Sequence, residues 1–561
     1  MTLAIPCSRS PQAGGADRVE VAPGVEVHAP AWTPAARRVL TPAAIRRLAA
    51  LHRDFEPQRR ILLAERRERQ SAWDRGATPR HLDDPVTAPH RGEWRIAPLP
   101  RDLRRRRVEI TGPVSDAKMV INMLTRNAAG ERADAAMLDC EDSMKPSWAN
   151  VVAGVGNLIG AVDGTLSYEP PAAAGRPAKL YRLEPDDMPL VMLRCRGLHL
   201  VESNLTVDGQ PVAAGLFDLA LAVHHTAATL LAQGKTPKYY VPKCEHYLEA
   251  RWWNEIFAAL EEAEGLTPGA LRVTLLIETL PAAFQVEEIL YELRERAAGL
   301  NVGRWDKIFS DIKVLAEHPD RVLADRATIS LARPWMRAYA ERLIAVCHRH
   351  GAFAMGGMAA FTPGRTAERR EEQTRKVVDD KRFEAGLGHD GCWVSHPYFI
   401  GPALSAFPRD HQLDVRPAVA QRPDLLPQGG GPRTLAGLAK NVRVGIAYLQ
   451  GWQADLGCVA WEDLMEDLAT LEISRAQTWQ WLRHGVALYD GPRVDRALVE
   501  KVFAEELARI RAELSAAGTA TAAADEFAAA AEVARAIFTE ERLRPFLTDR
   551  SPLEPGDELN T

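Results

Sequence analysis

Eight short apolar runs, each followed by an amphipathic stretch, constrain this chain more than any other feature. From about residue 106 onward they read "RVEITGP", "AAMLDCED", "LVMLRCRG", "KYYVPKCE", "RVTLLIET", "DKIFSDI", "AFAMGGM" and "GCWVSHP". The text between them is helical in period, as in "FDLALAVHHTAATLLAQ" and "PWMRAYAERLIAVCHRHG". Strands alternating with helices build a parallel sheet. Eight such units predict an α/β fold, a TIM (β/α)8 barrel over residues 106–425. An open doubly wound sheet is the competing architecture.

Outside that span the rhythm changes. Residues 1–30, rich in Ala, Pro and Gly, predict a flexible arm. Residues 31–105, with "PAAIRRLAALHRDF", predict a helical clasp, and residues 426–561 a C-terminal helical domain. A net charge of -5 offers no basic excess for a phosphate backbone, which argues against nucleic acid as a partner. The run Arg104 to Arg107 reads as a solvated face. Seven cysteines without CxxC spacing suit free thiols in a reducing compartment. The N-terminus lacks the layout of a signal peptide, and no apolar run approaches membrane-spanning length. Cytoplasm is the expected location, with no membrane partner. The sequence sets no oligomeric state.

A buried strand needs no charge at its tip, yet several of these runs end on one: Glu141 and Asp142, Arg194 and Arg196, Glu245, Glu278. In a barrel, the C-terminal strand ends share the mouth where chemistry is done. Asp306, in "GLNVGRWDKIF", is expected just before the next strand and so at the same mouth. Two carboxylates without histidine or thiolate form a hard oxygen site suited to Mg2+. The alternative is that Glu278 caps a helix and Asp306 pairs with Arg304 or Lys307. The "NVGRWD" turn could present N–H groups to a small carboxylate. The arginines of "LRCRG" could face a developing oxyanion or pair with Glu141 or Asp142. In "WEDLMEDLATLEISR" composition alone does not choose among Glu462, Asp463, Glu466 and Asp467.

Other features read as structural. "GVGNLIG" has the wrong spacing for a dinucleotide fingerprint. Cys347, His348 and His350 close a helix before Gly351, His224 and His225 lie mid-helix without a partner, and Trp252, Trp253, Trp479 and Trp481 read as packing.

Taken in order, "RVEITGP", "LRCRGLHL", "TLLIETLPAAFQVEEILYELRERAAGLNVGRWDKIFS", "CHRHGAFAMGGMAAF", "GHDGCWVSHP" and "LMEDLATLEISRAQTWQWLRH" resemble the A-type malate synthases, from about residue 40 to "FLT" near 546. The resemblance implies a barrel with an N-terminal clasp and a C-terminal plug. It implies condensation of acetyl-CoA with glyoxylate and thioester hydrolysis to malate and CoA, within the glyoxylate bypass of the tricarboxylic acid cycle. It further implies Glu278 and Asp306 as ligands of Mg2+, with Mn2+ as the alternative ion. Asp467 is then the base, and Arg194 stabilises the enolate, with Arg196 as the fallback. Glu141 is the supporting carboxylate. The N–H groups near Gly303, Trp305 and Asp306 hold glyoxylate, and Ser143, Pro397 and Met465 lie along the acetyl-CoA path. Departures from the family pattern are Lys307 in place of an aromatic, "SHPYFI", and the bulkier "EDLATLEISR". The alternatives are a Mg2+-dependent lyase of malyl-CoA or citramalyl-CoA, which would lack the C-terminal aspartate, and a non-catalytic acyl-CoA-binding relative.

Overall fold

The computed structural model describes residues 17–170, 180–516 and 521–548. Eight strands close a barrel: β1 (Val108–Pro113), β2 (Ala135–Asp139), β3 (Leu190–Arg194), β4 (Lys238–Val241), β5 (Arg272–Ile277), β6 (Ala297–Val302), β7 (Phe353–Ala359) and β8 (Gly391–Val394). Every neighbouring pair is parallel, and β8 returns to β1. Strands covered by helices outside and side chains inside are buried on both faces, so β2 and β5 are buried at every position.

Seven of the eight expected runs are barrel strands, and "DKIFSDI" is not. It lies in helix Arg304–Val314, and the strand is the preceding "AAGLNV". Ile308, Phe309 and Ile312 recur at helical spacing, whereas Gly299 and Asn301 weaken the strand signal. Asp306 therefore follows β6, in the first turn of its helix, and does not precede a strand.

The arm also differs from expectation. Arg18–Ala22 and Val25–His28 form a hairpin that pairs with Val201–Val207, which pairs in turn with Gln210–Ala213. The alternation that buries Val25 and Val27 makes residues 18–28 a strand pair, while residues 1–16 lie outside the described residues. Helix Pro42–Asp74 packs on helices Ala214–Ala232 and Tyr247–Ala263. Ala214–Ala232 is, among the described residues, the one helix long and apolar enough to cross a membrane, contrary to the hydropathy reading. It is 72% buried inside the protein, as a core helix is.

Arg106 corrects the reading of its run as a solvated face. It is buried in the barrel interior, where its guanidinium donates to Glu109, Tyr240 and Thr274, and Trp393 Nε1 donates to Glu109 at 2.9 Å. A buried charge persists only when so partnered. His224 and His225, expected to lack partners, have them: His224 Nδ1 lies 3.0 Å from Glu264 and His225 Nε2 2.7 Å from the Val39 carbonyl.

Helices Leu435–Gln453, Leu468–Arg483, Arg496–Ala516 and Thr521–Phe538 build a second core around residues such as Tyr448, Trp481 and Phe503. Between the first two of them runs a short hairpin, Val459–Trp461 with Leu464–Glu466. Its far strand meets the loop after β7, with Met465 N–H donating to the Ala360 carbonyl at 2.7 Å.

Candidate active site

The strand ends deliver a dense group of charges to one mouth. Glu141, Asp142 and Ser143 follow β2, Arg194 ends β3, Lys243 follows β4, Glu278 follows β5, and Asp306 opens the helix after β6. Lys243 Nζ lies 3.0 Å from Glu141 Oε1, 2.8 Å from Asp142 Oδ2, 2.9 Å from Asp306 Oδ1 and 3.6 Å from Glu278 Oε1. The alternative pairings fall away. Arg304 binds Asp380, Lys307 binds Asp311, and Thr279, not Glu278, caps the helix that follows β5.

Arg194 Nε and Nη2 each donate to Asp139 at 2.6 Å, and Nη1 lies 3.4 Å from both Glu141 and Asp142. The fork is thus held chiefly by Asp139, with Glu141 as a looser neighbour. Its plane sits 5.7 Å from the ring centre of Trp393. Ser143 also turns onto Asp139, its hydroxyl donating at 2.6 Å. Arg196 is committed elsewhere, to Asp218 and Glu202, so the fallback role does not suit it.

Could a divalent ion be held here? Glu278 is fully buried. Its Oε1 accepts the Lys243 N–H at 2.7 Å, while its Oε2 has no protein partner. An unmatched buried carboxylate oxygen costs about 1–3 kcal/mol or more unless something binds it. Gly303 leaves the space beside it, because a Cβ there would stand 2.8 Å from that oxygen. The first-turn N–H groups of Trp305 and Asp306 have no partner within their helix and face the same mouth. Among the described residues no three His, Cys, Asp or Glu side chains form a metal cage. Two carboxylates beside open positions are the donor set Mg2+ uses when it keeps water and substrate. The residues fit the ion.

The C-terminal helices cover this mouth. Helix Leu468–Arg483 starts on the barrel, the Leu468 N–H donating to the Asp142 carbonyl at 3.2 Å. Its N-cap is Asp467, in a capping box with Thr470. A small cavity is lined by Glu141, Asp142, Lys243 and Asp306 on one side and Leu468, Ala469, Glu472 and Phe546 on the other. Burial pushes the half-buried Asp467 carboxyl up to about 7, helped by the negative charge of Asp142 and opposed by the Thr470 N–H, Arg194 and Lys243. Burial and Asp142 likewise push Glu141 and Asp306 well above the carboxylate range. Asp142 is also buried, but Lys243 and Arg194 draw it below that range.

The other acids of that segment have separate employment. Glu462 pairs with Lys440 and Arg443, Asp463 with Arg369, and buried Glu466 with Arg326. Met465 sits in the hairpin two residues before Asp467. Pro397, after β8, is half-buried and accepts from Asn127 at 2.9 Å.

Family models match along the chain: the malate synthase N-terminal domain at residues 24–88, its TIM barrel domain at 190–423 and its C-terminal domain at 432–551. Malate synthase A of Escherichia coli is 42% identical over 91% of this chain and 95% of its own length. Malate synthase of Myxococcus xanthus is 44% identical over 88% and 90%. The chain belongs to the malate synthase family. A Haloferax volcanii malate synthase, solved as a pyruvate/acetyl-CoA ternary complex, aligns with a TM-score of 0.44 and 14% identity over 67% of this chain and 90% of that one.

Its activity is accordingly that of a malate synthase, an acyltransferase. For a malate synthase barrel, three side chains at this mouth went unnoticed in the sequence: Lys243, Asp139 and Trp393. Lys243 stands in "VPKCE" without any local pattern to mark it. Asp139 could have been noticed as a third acid in "LDCED", ending a strand two residues before Glu141.

Proposed function

We propose that the chain condenses acetyl-CoA with glyoxylate in a Mg2+-dependent reaction and hydrolyses the thioester product to malate and CoA. The supporting observation is that Asp467, raised to about 7, caps a helix seated directly on the carboxylate mouth of the barrel. Glu278 and Asp306 would hold Mg2+, or Mn2+ in its place. When bound, the ion supplies a Lewis acid that polarises the glyoxylate aldehyde.

The protein supplies the rest. The N–H group of the N-cap Gly303 and the first-turn N–H groups of Trp305 and Asp306 donate to the glyoxylate carboxylate at a helix N-terminus. Asp467 takes a proton from the acetyl methyl group. A carboxylate titrating near neutral pH is a stronger base than an exposed aspartate and is still about half charged at neutral pH. Arg194, fixed by Asp139, faces the enolate oxygen as it gains charge. Glu141 supports Arg194 through its 3.4 Å contact. The C-terminal domain keeps bulk water from the enolate, and Ser143, Pro397 and Met465 border the acetyl-CoA path. We place the reaction in the cytoplasm and in the glyoxylate bypass.

Release of CoA thiol from acetyl-CoA tests this reading, followed with a chromogenic disulfide, with and without glyoxylate, and with Mg2+ or EDTA. Thiol is expected only with both glyoxylate and Mg2+ present. Thiol release in EDTA alone would refute the metal role. None under any condition would redirect attention to cleavage of malyl-CoA.

A further inference from the structure

Lys243 has no step in that reaction, yet its backbone takes a conformation that residues with side chains rarely adopt. Its φ is +57°, a left-handed conformation that costs a residue with a side chain about 1–2 kcal/mol. Contacts from two other parts of the chain hold it there. Its N–H donates to Glu278 Oε1 at 2.7 Å, and its carbonyl accepts from Arg66 Nη2 at 2.6 Å. Arg66 comes from helix Pro42–Asp74 and is itself anchored by Glu249. The N-terminal helix and the residue after β5 therefore converge on the two peptide groups that flank Lys243, and the outcome is an ammonium within 3.0 Å of Glu141, Asp142 and Asp306.

The charges explain why such a group would be kept. Asp139, Glu141, Asp142, Glu278 and Asp306 stand against two cations, Arg194 and Lys243. Arg194 is taken up bidentately by Asp139, so Lys243 is the cation shared among the remaining carboxylates. A site built of carboxylates alone attracts a metal and repels an anion, but this one must take both.

We propose that Lys243 is a positioning residue whose fixed ammonium spaces the four carboxylates and moderates their charge, so that one centre admits both a divalent cation and an anionic 2-oxo acid. This rests on the metal and glyoxylate binding at that centre. It makes the two affinities move in opposite directions when the ammonium is removed, whereas loss of local packing alone would weaken both.

The test is Lys243→Met, checked for folding by circular dichroism, with two binding measurements made without acetyl-CoA. Mn2+ binding is read by electron paramagnetic resonance of the free ion, and glyoxylate binding to Mg2+-loaded enzyme by calorimetry. The Kd for Mn2+ should fall, and that for glyoxylate rise, each by at least about tenfold. Both weakening, or neither changing, overturns the proposal while leaving the metal site in place. Failure of the unaltered enzyme to bind Mn2+ overturns the metal site itself, and the proposal with it. Should Lys243→Met not fold, the double variant Lys243→Met/Asp142→Asn restores the charge excess. A glyoxylate Kd within about threefold of the unaltered enzyme then supports the proposal, and one still raised about tenfold overturns it.

Discussion

The barrel mouth and the helical domain above it hold their candidate catalytic groups in different ways. Asp139, Glu141, Arg194, Lys243 and Glu278 are all buried at or just beyond the ends of four consecutive strands, β2 to β5, and are bonded to one another. Asp467 belongs to a body with its own core. It reaches the mouth through a helix start and a hairpin, with backbone bonds to Asp142 and Ala360. Each such bond is worth about 1 kcal/mol net. The half proposed to hold the metal and the small substrate is thus built into the sheet, and the half proposed to carry the base is docked upon it. That division suits the proposed reaction, in which water must be kept from the enolate.

If the two halves are separate in this sense, substitutions should separate them. Asp467→Asn should lower kcat by about a thousandfold while Mn2+ affinity stays unchanged; a matching loss of metal binding would show the halves to be coupled. Glu278→Gln should do the reverse, raising the Mn2+ Kd about a hundredfold in a direct titration, and an unchanged titration would remove it from the ligand set. Asp139→Asn loosens Arg194 without touching a metal ligand, so kcat should fall by about thirtyfold with the KM for glyoxylate nearly constant.

A pH profile sharpens the comparison further. As the proposed base Asp467 acts only when deprotonated, and burial pushes its carboxyl up to about 7, so kcat should climb about tenfold between pH 6 and 8 and then level off. Asp142→Asn removes one of the two influences raising that value and should move the rise to lower pH; a rise that stays put would assign it to another group. The smallest effect belongs to Thr470→Ala, which breaks the capping box. It should cost the C-terminal domain about 1 kcal/mol, seen as a lower Tm, with kcat reduced by less.

Much of this was legible in the residues, for identifiable reasons. Strands buried on both faces must be written in Val, Ile, Leu, Met and Ala, so seven of them stand out, and a charge at the tip of such a run is conspicuous. β6 hid because Gly299 and Asn301 dilute it, while the helix after it carries the bulkier apolar residues. Residues 18–28 carry a local alternation, Val19 and Val21 then Val25 and Val27, but the strand that extends their hairpin into a sheet, Val201–Val207, lies far along the chain. The buried Arg106 hid for a similar reason: its partners Tyr240 and Thr274 come from two other strands.

By itself the sequence determined the alternation of strand and helix, the carboxylates at the strand tips and, through long motifs in order, the family. These are properties of local pattern and are written locally. Only the tertiary structure decided which of four acids in "WEDLMED" stands over the carboxylate mouth, that Asp139 grips Arg194, and that Lys243 stands among the carboxylates. Each depends on closing the barrel and seating a second core upon it, which brings together charges tens to hundreds of residues apart whose mutual field no stretch of sequence contains.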